Sequence, residues 1–423
     1  MPDRSGVKSR KIIINILYEI LDKSNSFENS FEKLAKDSDD KAFIYMLTSS
    51  ILRYLTQIDF TLDKLLKKSI KKLPTKPKMA LRLGLAQLFL LNTPQHAAVN
   101  TSVELAGKKW KGLVNAILRE IIRKDEKYKN IFENAPRIPN WLLKKWQNDW
   151  PNDYLKIIEC FQELHPHIDV LVKKDIEKWK VELDADLLPN SVLRLKQSGI
   201  IKDMPGYSEG NWWVQDYSSQ IPVKIFSIAK DEEVLDLCAA PGGKTAQMLS
   251  IGAKVLSIDK NKERIEKFKN NMERLNFNYE ILQTNILEFE TDRKWNKILL
   301  DVPCTSTGTI RKNPDILYLK KDDDLKSIIT IQKELLEKSW SLLRKGGKLL
   351  YCNCSLEKEE GELQISNFLK NQKDAKIEKI SNKEIKDMDQ SICKEGWIRI
   401  LPHNDNLVKN KDGFFIACLK KVS

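Results

Sequence analysis

Glu233-Val234-Leu235-Asp236-Leu237, followed by Cys238-Ala239-Ala240-Pro241-Gly242-Gly243-Lys244-Thr245, decides the fold of this chain. The first five residues are a short, mostly aliphatic run with the character of a strand, and a helix is expected to start near Gly243. Working outward, the same alternation repeats. Lys254–Asp259 is a second strand, 262–275 a helix and 279–283 a third strand. Strands at 298–301 and 349–354 follow, separated by a long helix through 325–343, and two late strands at 397–401 and 414–419 close the series. Such alternation specifies a doubly wound α/β sheet, in which ligands bind past the carboxyl ends of the strands.

Before this region the pattern is different. Apolar residues recur at helical spacing in 12–21, 41–52, 58–66, 79–91, 102–108 and 113–122, broken by Pro74, Pro77 and Pro94. Residues 1–135 are therefore expected to form an all-α bundle. Ala135-Pro136-Arg137-Ile138-Pro139 is the expected linker. Residues 136–205 form a small α+β accessory module containing a strand at Asp169–Lys173, and residues 206–423 form the α/β domain. The chain has 423 residues, enough for two or three domains.

The formal charge of +13 fits an anionic partner, although the sequence is rich in Lys, Ile and Asn throughout. Seven cysteines, unevenly spread, do not form a disulfide framework and suit a reducing compartment. Cys352 and Cys354 are too close together to pair as zinc ligands, and no second Cys or His pair has ligand spacing, so no metal is expected. There is no apolar run of membrane-spanning length, and Met1-Pro2-Asp3-Arg4-Ser5 does not begin a signal peptide. A cytoplasmic monomer without a membrane partner is expected.

The loop 238–245 admits three kinds of ligand. A Walker A loop needs glycine where Cys238 stands, and the dinucleotide fingerprint G-x-G-x-x-G is absent. S-adenosylmethionine remains, with Asp259 at the end of the second strand as the acid for its ribose. A plain tight turn, with Asp259 capping the next helix, is the competing reading.

Two cysteines stand just past strands near that loop, in Asp301-Val302-Pro303-Cys304 and Tyr351-Cys352-Asn353-Cys354-Ser355. Each alone is compatible with a buried, inert thiol. Together with Asp301 they suit methylation at carbon 5 of a pyrimidine. That carbon is a poor nucleophile until a thiolate adds to carbon 6, and the reaction then needs a group at the ring nitrogen and a second group to assist release.

Five stretches carry a specific resemblance: 214–220, 238–245, 301–311, 351–355 and 412–417. On these the chain resembles the bacterial 16S ribosomal RNA cytosine-5 methyltransferases of the RsmB/Sun/Fmu family, within the Nol/Nop/Sun superfamily. The resemblance implies that Cys354 is the nucleophile, that Cys304 assists product release and that Asp301 contacts the cytosine beside the cofactor. It also implies that Cys238, Ala239, Ala240, Pro241, Gly242, Gly243, Lys244, Asp259, Asn285 and Asp301 bind S-adenosylmethionine. Asn285 stands where the family usually has Asp near the adenine, and Cys352 where it more often has Ser or Ala. Residues 82–88, 94–100 and 112–119 resemble the RNA-binding bundle of NusB, so the C-terminal Rossmann-like domain would be joined to a NusB-like one. The implied partner is small-subunit ribosomal RNA, free or in an assembly intermediate, with its target cytosine in a loop or flipped out. The basic stretch Gly107–Lys111 is a candidate phosphate contact or a solvated charged face.

Two other readings stay open. An amino-group methyltransferase uses D/N-P-P-Y/F after the fourth strand, and here Cys304 replaces the aromatic. A non-catalytic RNA-binding or antitermination-type factor that keeps the inherited fold is the other, since fold does not entail function.

Overall fold

The central parallel strands of the C-terminal half place the candidate chemistry. In this computed structural model, which describes residues 4–197, 199–380, 385–405 and 407–422, the chain separates into two units. Residues up to Leu164 together with Ile310–Asp322 make one, and His165–Thr309 with the residues from Asp323 onward make the other. The leading residues Met1–Asp3, part of the stretch considered above for a signal peptide, lie outside the described residues.

The first unit is helical: α1 (Arg4–Leu21), α2 (Phe27–Leu34), α3 (Lys41–Asp63), α4 (Thr75–Phe89), α5 (Gln95–Leu105), α6 (Lys111–Arg123), α7 (Asp125–Glu133), α8 (Asn140–Asp149) and α9 (Tyr154–Phe161). Ile13, Ile16 and Leu17 of α1, Ile44, Leu47 and Ile51 of α3, and Leu81, Leu83 and Leu85 of α4 are fully buried in one core. Gly84 is required where α4 meets α5 and α6, because a Cβ there would lie 2.6 Å from Leu118 Cδ1 and 3.0 Å from Ser102 Oγ.

The division differs from the expected break at 136. Arg53 of α3 donates to the carbonyl of Phe161 at 2.9 Å, and Gln162 donates to Gln57 at 2.6 Å, so α8 and α9 belong with the bundle. Ile310–Asp322 also belongs there. Asp315 accepts the backbone N–H of Phe27 at 2.9 Å, Arg53 donates to the carbonyl of Arg311, and Tyr318 and Leu319 pack on the helical core.

The second unit begins with a four-stranded antiparallel sheet in the order β2-β3-β1-β4. Its strands are β1 (Asp169–Val172), β2 (Ala185–Leu188), β3 (Val192–Leu195) and β4 (Trp212–Val214), with α10 (Ile176–Glu182) after β1. β4 lies beyond the expected border at 205, because it pairs with β1 through Val170–Val214 and Val172–Trp212. Then follow α11 (Tyr217–Ile225), β5 (Glu233–Leu237), α12 (Gly243–Ile251), β6 (Lys254–Asp259), α13 (Lys262–Arg274), β7 (Glu280–Gln283) and β8 (Trp295–Asp301). After the short α14 (Ile316–Leu319) of the helical unit come α15 (Asp322–Leu342), β9 (Leu343–Asn353), α16 (Glu362–Asn371), β10 (Ala375–Ile377), β11 (Ile398–Ile400) and β12 (Phe414–Lys421).

The large sheet runs β10-β12-β9-β8-β5-β6-β7, with β11 also paired to β12. Strands β7, β6, β5, β8 and β9 are mutually parallel, and β12 is antiparallel to β9. The chain winds outward from β5 to β7 and then returns to place β8 on the other side of β5. A switch point therefore falls between β5 and β8, and ligands collect past the carboxyl ends there. Val234, Leu235, Leu237, Ile298, Leu299 and Leu300 are fully buried, which fits a parallel sheet covered on both faces.

Candidate active site

Register determines which motifs meet. Leu237 pairs with Leu300, and Asp301 pairs with Cys352, so the turn after β5, the end of β8 and the end of β9 lie side by side.

The turn after β5 is built for close approach. Cys238 has φ +60°, the Ala240–Pro241 peptide is cis, and Gly242 caps α12 at φ +101°. Gly242 needs that left-handed conformation, and a Cβ there would also meet Met272 and Phe268 at 2.8 Å. The first N–H groups of a helix have no acceptor within it, so the start of α12 offers donors to a ligand. Asp259, only 3% exposed at the end of β6, accepts the N–H of Ala240 at 3.1 Å and that of Asn261 at 2.9 Å. Asn261, not Asp259, caps α13, with its side chain accepting from Arg264 N at 2.9 Å. These residues fit S-adenosylmethionine: small residues and helix donors at the turn, and an oriented acid one strand away for a ribose diol. Asn285 follows β7. It accepts the N–H of Leu287 at 3.3 Å and donates to Glu288 at 2.9 Å.

At the end of β8, Asp301 accepts from Lys244 Nζ at 2.7 Å through Oδ2 and from Cys352 Sγ at 3.6 Å through Oδ1. Burial lowers the pKa of Lys244, but the charge and hydrogen bond of Asp301 together with the neighbouring Cys352 and Cys354 more than offset it, so the ammonium is held above its ordinary value. Burial, reinforced by the negative charge of Asp301, keeps Cys352 a thiol, with its pKa well above the usual range. Lys244 also lies 5.2 Å from the ring centroid of Phe414. The sequence marked Lys244 and Asp301 as neighbours of a cofactor but gave no sign of their ion pair.

Cys304 Sγ and Cys354 Sγ are 3.5 Å apart. The hydrogen bond with Cys354, then burial, then the charges of Cys354 and Glu360 hold the Cys304 thiol well above its usual pKa. The two cysteine loops are joined at the backbone as well. Gly308 donates to the Cys354 carbonyl at 2.9 Å, and Gly413 donates to the Gly308 carbonyl at 2.9 Å. Farther along, Asp412 accepts through its carbonyl from Ser218 Oγ at 2.7 Å. With the Lys244–Asp301 bond, all five sequence motifs thus connect: 214–220, 238–245, 301–311, 351–355 and 412–417.

Two buried acids beneath the site escaped the sequence reading. Asp236, on β5, is 1% exposed and accepts from Thr245 Oγ1 at 2.5 Å, while its Oδ1 has no hydrogen-bond partner among the described residues. Burial pushes its carboxyl up to about 7, against the opposing effect of the Thr245 hydrogen bond. Glu360, fully buried, receives donors from both cysteine loops. Asp236 was concealed in a strand, and Glu360 in the charged run Glu357-Lys358-Glu359-Glu360-Gly361-Glu362, which has the appearance of a solvated face.

Comparison with known proteins gives the same direction. Residues 223–420 match the family described as 16S rRNA methyltransferase RsmB/F, and residues 7–123 match the NusB family. Ribosomal RNA small subunit methyltransferase B of Pectobacterium atrosepticum is 30% identical over 446 residues, covering 99% of this chain and 100% of the relative. The crystal structure of PH0851 shares the fold with a TM-score of 0.79 at 23% identity, covering 98% of this chain and 99% of that one. NSun6 from Pyrococcus horikoshii, solved with SFG, has a TM-score of 0.58 at 20% identity, covering 67% of this chain and 98% of that one. Among the described residues no helix is long and apolar enough to cross a membrane. With a Rossmann-like domain whose strand ends suit S-adenosylmethionine, preceded by a NusB-type helical domain, the chain belongs to the RsmB/F family of S-adenosylmethionine-dependent 16S rRNA methyltransferases.

Proposed function

We propose that this enzyme methylates carbon 5 of a cytosine in small-subunit ribosomal RNA, with Cys354 as a covalent nucleophile and Cys304 as the group that completes release. The observation that carries this reading is the 3.5 Å contact between the two sulfurs, beside Asp301 at the switch point. An amino-group methyltransferase has no use for paired thiols.

In this reading the Cys354 thiolate, its proton lost to solvent, forms a bond to carbon 6 and pushes electron density onto carbon 5. S-adenosylmethionine, when bound, supplies an electrophilic methyl group to that carbon. Asp301, held by Lys244, is assigned to the polar edge of the ring. Release exchanges protons between the two sulfurs. Cys304 gives its proton to the departing Cys354 sulfur and takes the carbon 5 proton in return, so both end as thiols when the carbon–sulfur bond breaks. The raised pKa of Cys304 supports this role, because it keeps that proton in place until it is needed.

The helical domain is proposed to hold flanking RNA. Lys67, Lys68, Lys71, Lys72 and Lys76 are exposed, as are Lys108, Lys109 and Lys111. A Cβ at Gly107 would lie 3.8 Å from Lys76 Cδ, so the two basic segments adjoin. Such a surface would bind phosphates irrespective of sequence and so position the RNA, while the site itself selects the base.

The test is methyl transfer from labelled S-adenosylmethionine to small-subunit RNA, both free and in partly assembled subunits. Wild type should yield 5-methylcytosine, Cys354→Ala none, and Cys304→Ala a covalent protein–RNA adduct that persists on denaturing gels. Equal labelling by wild type and Cys354→Ala would overturn the cysteine mechanism. Label on an exocyclic amine would establish the amino-group alternative.

A further inference from the structure

We propose that Glu360 is a positioning residue that sets the separation of Cys304 and Cys354, an assignment that rests on the two-cysteine reading above. Its carboxylate is a hub between the two loops. Through Oε2 it accepts the backbone N–H of Thr305 at 2.9 Å and Gln332 Nε2 at 2.8 Å. Through Oε1 it accepts Ser355 Oγ at 2.5 Å and Thr305 Oγ1. Thr305 directly follows Cys304, and Ser355 directly follows Cys354. One side chain therefore grips the residue after each sulfur.

The rest of the residue tightens the same arrangement. The carbonyl of Glu360 accepts Tyr351 OH at 2.7 Å and Asn353 Nδ2 at 2.9 Å, which fixes the end of β9 just before Cys354. Asn353 Oδ1 in turn accepts the N–H of Ser355 at 3.0 Å. Gln332 Nε2 also reaches the carbonyl of Pro303, at 2.9 Å, immediately before Cys304. Each cysteine is thus bracketed by residues bound to Glu360 or to a direct partner of Glu360.

A carboxylate suits this place for a chemical reason. It only accepts, and with two lone pairs on each oxygen it takes four donors at once. Glutamine could keep the two N–H donors only by turning its NH2 group toward the Ser355 and Thr305 hydroxyls, which would then have to accept instead of donate, and the charge that shortens all four bonds would be lost. Hydrogen bonds of this kind are also short and strong because the acceptor is charged. Glu360 need not touch RNA or cofactor to matter. A displacement of about 1 Å at a reacting atom can cost a hundredfold in rate.

The geometric part of the test needs no RNA. The full-length protein is treated with diamide, which oxidises two thiols to a disulfide and is itself reduced to the hydrazine, taking up both hydrogens. The Cys304–Cys354 pair is then followed by peptide mapping after alkylation. Wild type should cross-link rapidly, and Glu360→Gln about tenfold more slowly or worse. Methyl-transfer kcat should fall in parallel, with the Kd for S-adenosylmethionine unchanged. Thr305→Val, which removes one of the four donors, should behave like a milder Glu360→Gln, and Thr305→Ser should restore wild-type rates. A Glu360→Gln protein that binds S-adenosylmethionine normally and cross-links at the wild-type rate would overturn the proposal. If Glu360→Gln does not fold, equal cross-linking by Thr305→Val and wild type would overturn it instead. Absence of 5-methylcytosine with wild type would count against the functional reading alone, since the cross-linking rates are measured without RNA.

Discussion

Replacing Asp236 by Asn should make the protein more stable above neutral pH, and by an amount the structure allows to be worked out. Asp236 lies on the central strand β5, 1% exposed, with Thr245 as its side-chain partner and one oxygen without any among the described residues. Burial raises its carboxyl to about 7 from an ordinary value of 3.8. The folded state therefore holds a proton that the unfolded chain has already released across that window. A group raised in this way contributes its full stability below the unfolded value and loses it as pH rises toward 7. At about 1.4 kcal/mol for each pH unit between the two values, ionised Asp236 should oppose folding by about 4 kcal/mol at pH 8 and above. Asn is neutral throughout and keeps an oxygen for Thr245. Urea unfolding of full-length wild type and Asp236→Asn, compared from pH 5 to pH 9, isolates this effect because groups that do not interact with Asp236 titrate alike in both. The advantage of Asn should grow by about 3 kcal/mol between pH 5 and pH 8 and then level off. A difference that does not change with pH would show that Asp236 is ionised in the fold at every pH, and the burial argument would fail.

Two further substitutions probe the meeting of the loops. Gly308→Ala would place a Cβ 2.1 Å from the Gly413 carbonyl oxygen and 2.8 Å from that of Cys354, both backbone atoms that cannot swing aside. It should lower methyl transfer by about a hundredfold by displacing the Cys354 loop, while binding of S-adenosylmethionine, measured by calorimetry, stays near wild type. Cys352→Ala removes only a weak thiol donor from Asp301, which keeps its ion pair with Lys244. Its initial rate of methyl transfer should fall by no more than about threefold, and Cys352→Ser, which retains a donor, should match wild type.

Much of this architecture was legible because the parallel strands are buried on both faces and carry nearly continuous aliphatic runs. Glu233–Leu237, Lys254–Asp259 and Trp295–Asp301 lie where their composition and the intervening helices require. What could not be read was any contact whose partner is distant in sequence. Ile310–Asp322 follows the Cys304 motif, yet it packs in the helical unit, with Asp315 bound to Phe27. Periodicity reports which face of an element is apolar, not what covers it. The same limit applies to α8 and α9, whose short amphipathic runs fit an accessory module as well as a bundle until Arg53 and Gln57 of α3 are seen to bind their C-terminal end.

The site divides along the same line. Motif residues were visible one by one because they stand at strand ends, and in a parallel sheet all strand ends on one edge are neighbours. Which ends adjoin depends on strand order, and the reversal at β5 is what brings residue 238 beside 301 and 301 beside 352. The supporting acids obey a different logic. Asp236 and Glu360 have no apolar spacing to betray them, and a buried carboxylate in a sequence resembles an exposed one. Its cost must be met by donors contributed from elsewhere in the chain: Thr245 for Asp236, and Thr305, Gln332 and Ser355 for Glu360. Burial of an acid is thus a property of the assembled loops. That is why the groups that hold the two sulfurs in place emerge only with the fold, while the sulfurs themselves could be picked out beforehand.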